Sequence, residues 1–132
     1  MTSITVLFTI IFLTFYLFLS FKTISVRKKS QVAFGTGGNE ELLRATRAHS
    51  NFYEYTVFFI LSCILAEYLG AEWVYILIVN TLFLFGRIFH AISMYKNILR
   101  YRQIGMLLTF GCYIANISYM TYLYFFFFLG LE

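Results

Sequence analysis

Apolar residues along this chain fall into four long blocks: Ile4 to Phe21, Tyr53 to Leu69, Trp73 to Tyr95 and Ile104 to Leu129. A hydrocarbon layer takes about 20 apolar residues per helix, which each block approaches. Strands of a membrane barrel would alternate polar and apolar residues at every second position, whereas these runs are continuously apolar, so the pattern predicts helices. The second helix is expected to extend backwards through polar turns to near Asn39. Gly35-Thr36-Gly37-Gly38 reads as a turn before it, because a phosphate cradle would need a Lys and a preceding strand. The first block is followed, not preceded, by basic residues and has no small-x-small cleavage pattern, so it reads as a retained helix and not a secretory signal.

Composition agrees with the pattern. Apolar residues make up 61% of the chain and charged residues 12%, with a mean hydropathy of +0.78. A soluble domain of 132 residues has no core large enough to hide 17 Phe and 11 Tyr, so lipid must cover much of that surface. The expectation is an all-α integral membrane four-helix bundle, one domain over residues 1–132. Cys63 and Cys112 lie inside apolar blocks with no CxxC pair and no His at ligand spacing, so they read as packing residues and no metal site is expected.

Charge sets the expected orientation. Lys22, Arg27, Lys28, Lys29, Arg44 and Arg47 follow the first block, and Lys96, Arg100 and Arg102 separate the third from the fourth. The other flanks carry Glu67, Glu72 and Glu132. By the positive-inside rule the first and third loops face the cytoplasm and both termini face the opposite side. The net charge of +4 then reflects orientation and attraction to anionic lipid, with no nucleic acid needed as a partner.

The informative residues are polar ones at membrane depth. Arg44, Arg47, Asn51 and Glu54 recur at spacings of three, four and three, which aligns them on one seam of a helix. Arg87 and His90 share a face of the third helix, with Asn80 two turns earlier on the same side. Antiparallel helices bring Arg47, Asn51, Glu54, Arg87 and His90 to similar depth, and Arg102 opens the fourth helix beside them. One reading is an interhelical ion pair that fixes register, with His90 as a packing residue. The other is a basic cleft for an anion, favoured by the excess of Arg over Glu.

Arg47-Ala48-His49-Ser50-Asn51-Phe52-Tyr53-Glu54-Tyr55 resembles the R-A-x-x-N-x-x-E-Y signature of the membrane-associated proteins in eicosanoid and glutathione metabolism, the MAPEG family. The likeness continues in Ser25 to Lys29, Gly86 to His90 and Arg102 to Met106, and the whole is similar to short bacterial members, placing the chain in an inner membrane. The resemblance implies a homotrimer that binds glutathione between subunits near the cytoplasmic side and acts on a lipophilic small-molecule substrate as a transferase or peroxidase. It implies that Arg47, Asn51 and Glu54 hold the glutathione backbone with Tyr55 beside them, that Arg27 reaches the peptide from the first loop, and that His90 lies near the γ-glutamyl end with Arg87 behind. Arg102 matches the Arg beside the sulfur, where a guanidinium favours the thiolate.

The sequence departs from the family at four places. Ser25 replaces an Arg of the prostaglandin synthase branch, Met94 stands where a Tyr is expected with Tyr95 adjacent, Val57 replaces a common Pro, and Gln103 replaces a Ser near the thiol. Two other classes compare poorly or partly. A small multidrug exporter relies on a Glu in its first helix, which is absent here. A non-catalytic glutathione- or lipid-binding structural protein would keep the cleft without turnover.

Overall fold

The first helix, α1 (Ile4–Ser30), starts where the Ser3 side chain accepts from the Val6 N–H and stops at Gln31, whose left-handed backbone (φ 53°) ends the turn. The computed structural model describes residues 3–130, so Glu132 lies outside it. α1 runs nine residues beyond the apolar block because Lys22 to Ser30 continue the helix, and Arg27, Lys28 and Lys29 place cations in its last turn, where the helix dipole favours them. Gly35, Gly37 and Gly38 all take positive φ and form the expected turn, with the Asn39 N–H bonded to the Thr36 carbonyl.

Helix α2 (Glu40–Tyr68) begins at Asn39, whose side chain caps the Leu42 N–H at 2.8 Å, with Glu40 and Glu41 in the first turn. α3 (Trp73–Lys96) and α4 (Leu99–Phe128) follow, separated by Asn97 in the left-handed region. α4 starts five residues before its apolar block, so Arg100 and Arg102 are helical. The described residues contain helices and turns but no strand.

Helix α2 touches all three others, and its inner face meets an aromatic centre. Phe59 and Phe83 stack at 3.7 Å between ring centroids, and Phe12 meets both edge-on at 6.4 and 5.7 Å. Such edge and stacked pairs add roughly 1 kcal/mol each beyond area burial. α3 and α4 approach most closely at Gly86 and Gly105. A Cβ on Gly105 would fall 2.7 Å from the Gly86 carbonyl oxygen, so the contact requires that position to lack a side chain.

Outward faces of all four helices carry exposed Leu, Ile, Val and Phe, as a lipid-solvated bundle requires. α1, α3 and α4 are each long and apolar enough to cross a membrane. α2 falls short by that measure, since its first half is polar and Glu54 and Glu67 interrupt the rest. It nevertheless packs against all three of its neighbours, as α3 also does. Glu67 near its end accepts from the Ser3 hydroxyl and from the Thr5 N–H at 3.1 Å, tying the start of α1 to α2.

Candidate functional site

The seam on α2 opens into a polar cleft of about 350 Å³ lined by Arg47, Ser50, Asn51 and Glu54 from α2, Met94 from α3 and Arg102 from α4. Four residues singled out from the sequence therefore share one space. Helical spacing brings Arg47, Asn51 and Glu54 onto one stripe, and the early start of α4 places Arg102 opposite them.

No interhelical ion pair forms among the described residues. Among the described residues the one ion pair within 4.0 Å joins Arg44 to Glu40 on the surface of α2. Arg47, Glu54 and Arg102 are exposed to the cleft, and none of their side chains has a hydrogen-bond partner among the described residues. Exposed surface pairs contribute little in any case, so these three groups are not held in place to stabilise the fold. Arg44 lies away from the cleft, beside Glu41 and Tyr95.

Behind the cleft sits Arg87, only 1% exposed. Its Nη1 donates to Asn51 Oδ1 at 2.8 Å, and its Nη2 donates to the Thr109 hydroxyl and contacts Met106 Sδ at 3.8 Å. The guanidinium carbon lies 5.1 Å from the Tyr55 ring and 5.6 Å from that of Phe83, a cation–π arrangement on two aromatic rings. Arg87 thus joins α2, α3 and α4 and fixes the Asn51 rotamer. With Oδ1 held by Arg87, Asn51 has its amide N–H groups left for the cleft.

Tyr55 lies one layer behind the lining. Its ring meets Arg87 and Phe110, and its carbonyl accepts from the Tyr113 hydroxyl. His90 is buried where α3 and α4 touch: a Cβ on Gly105 would fall 3.0 Å from the His90 Cβ. Arg27 donates to the carbonyls of Val32 at 3.2 Å and Gly35 at 2.9 Å, so within one chain it closes the loop after α1 and does not line the cleft. Met94 occupies the cleft wall while Tyr95 packs away from it under Lys22, so no tyrosine hydroxyl from α3 lines the cleft.

Two participants were not singled out from the sequence. Ser50 lines the cleft between two chosen residues, and its adjacency to Asn51 was the available signal. Thr109 holds Arg87 from α4; it lies one turn after Gly105 and donates to that residue's carbonyl, a local bond that left no trace in the apolar pattern.

Comparison with known proteins gives this arrangement its relatives. The model of the MAPEG family matches residues 5–122. The inner membrane protein YecN of Escherichia coli K12 is 33% identical over 107 residues, covering 78% of this chain and 82% of the relative, and YecN of Escherichia coli O6:H1 matches to the same extent. No solved structure gives a significant match. A family match over nearly the whole bundle, on three helices apolar enough to span a bilayer, makes the chain an integral membrane protein that belongs to the MAPEG family, the membrane-associated proteins of eicosanoid and glutathione metabolism.

Proposed function

We propose that the cleft binds glutathione and that the protein is a glutathione transferase or peroxidase acting on lipophilic electrophiles. The observation that carries this reading is charge complementarity. Arg47, Arg102 and Glu54 offer two positive groups and one negative group, all without protein partners among the described residues. Glutathione carries two carboxylates and one ammonium at neutral pH, the inverse set. Arg47 suits a bidentate carboxylate contact, Glu54 suits the α-amino group, and Asn51, oriented by Arg87, supplies amide donors.

When bound, glutathione supplies a nucleophilic thiol. Its ordinary thiol pKa of about 8.5 leaves it mostly protonated at neutral pH. The Arg102 guanidinium favours the ionised form of a sulfur placed beside it, which raises the reactive fraction without transferring a proton itself. Gln103, pointing from the same turn, adds no acid or base, so activation rests on Arg102. A membrane location suits the second substrate, because apolar electrophiles partition into lipid while glutathione enters from water. We assign the chain to an inner membrane, as its relatives are named, with the basic loops in the cytoplasm, both termini on the opposite side, and three copies forming the working unit, Arg27 reaching the peptide from a neighbouring copy.

A second reading, binding without turnover, is favoured by Met94, which lines the cleft where the family resemblance leads one to expect a Tyr. Arg102→Ala separates the two. A catalytic Arg102 predicts that the variant still binds glutathione but loses the near-ultraviolet thiolate absorbance. Equal thiolate absorbance in the variant and the parent would remove Arg102 from the chemistry and leave a binding protein.

A further inference from the structure

A second groove lies between α1 and α3. It has a volume of about 240 Å³ and an apolar floor of Phe15, Phe18, Leu19, Ile88, Ala91 and Ile92. Its lining also includes Lys22, Tyr95 and Lys96, at the ends of α1 and α3 where the basic residues collect. The lining from Phe15 to Lys22 spans about 10 Å along α1, so the groove runs from a charged mouth into the hydrocarbon-facing part of the bundle.

Lys22 lies 3.6 Å from the centre of the Tyr95 ring, which holds its ammonium over the mouth. Neither lysine has a carboxylate within 4.0 Å among the described residues. The Tyr95 hydroxyl is buried between this groove and the polar recess formed with Glu41 and Arg44, and it has no hydrogen-bond partner among the described residues. A buried hydroxyl without an acceptor is unfavourable, so a partner that supplies one is favoured there.

We propose that this groove is a binding site for one anionic phospholipid, with its phosphate between Lys22 and Lys96 and an acyl chain along Phe15, Leu19 and Ile88. The charge is complementary at one end and the surface is apolar at the other, a combination that neither a soluble anion nor a neutral lipid matches. Juxtamembrane lysines are each favourable to anionic lipid by about a factor of five, so two of them give roughly a 25-fold preference. The site does not touch the Arg102 cleft and does not depend on the assigned activity.

The test is native mass spectrometry of the full-length protein in neutral detergent, titrated with phosphatidylglycerol and, separately, with phosphatidylcholine. The expected result is one tightly held phosphatidylglycerol per chain and a preference over phosphatidylcholine that Lys22→Gln with Lys96→Gln reduces at least tenfold. Lys28→Gln with Lys29→Gln, which removes the same charge outside the groove, should leave the preference intact. Equal binding of the two lipids, survival of the preference in the Lys22 and Lys96 variant, or its equal loss in the Lys28 and Lys29 variant would overturn the site. Glycerol phosphate without acyl chains should fail to displace the lipid; displacement by it would show an anion site without a groove.

Discussion

Two groups of polar side chains interrupt the apolar bundle, one around Arg87 and Asn51 and the other around Asn116 and Cys63, about 18 Å away along α2. In the second group neutral polar atoms are mostly paired with one another, the buried Asn80 Oδ1 being the exception among the described residues. Asn116 donates to Ser62 at 2.8 Å and to Cys63 Sγ at 3.4 Å, and it accepts from the Tyr75 hydroxyl at 2.7 Å. Asn80 donates to the Ile76 carbonyl at 2.9 Å and contacts the same sulfur at 3.6 Å. That cluster joins α2, α3 and α4 and offers almost nothing outward. In the first group an inner layer, buried Arg87 and Thr109 with partly buried Asn51, supports an outer layer of Arg47, Glu54 and Arg102 whose charges face open space. Internal pairing is what a structural element needs, and unpaired charge on a fixed support is what the proposed binding site needs.

The contrast can be broken by substitution. Arg87→Leu strikes the support itself. It leaves Asn51 and Thr109 without their shared partner, and we expect a loss of roughly 3 kcal/mol of stability together with loss of glutathione binding. Thermal unfolding in detergent reads the first effect, and an unchanged midpoint would mean that Arg87 does not organise the site. Glu54→Gln should do the reverse, weakening glutathione affinity by about 2 kcal/mol with the unfolding midpoint unmoved. A variant that binds as well as the parent would mean that Glu54 only faces water from α2 and does not contact the ligand. Asn116→Leu should cost about 1 kcal/mol of stability, since interhelical hydrogen bonds in membranes are individually weak, and should leave glutathione affinity unchanged. Lost affinity in that variant would couple the two clusters.

Much of this was legible because helical membrane proteins write their elements as long apolar runs. All four helices were expected, and α3 was bounded to within a residue by Trp73 and Tyr95. The end of α1 and the start of α4 were less legible, because Lys22 to Ser30 and Arg100 to Gln103 are mostly polar yet helical, and hydropathy measures the solvent and not the backbone. The cleft was legible as a seam, since spacings of three and four carry Arg47, Asn51 and Glu54 onto one side whatever the bundle does. The open choice between ion pair and ligand cleft was a matter of side-chain distance across helices, which periodicity does not encode. The same applies to Arg87, whose partner Thr109 is 22 residues away, and to Tyr95, whose one-residue offset from Met94 turns it from the cleft wall to the α1 side. The proposed trimer, and with it the proposed reach of Arg27 to the peptide, would depend on surfaces between copies.

The central claim is that the unpaired charges of the cleft are complementary to glutathione. Calorimetric titration of the detergent-purified protein, with thiolate absorbance followed on the same sample, tests it most directly. The account predicts saturable binding below millimolar glutathione, accompanied by a rise in near-ultraviolet absorbance. No heat of binding and no absorbance change at millimolar glutathione would contradict it.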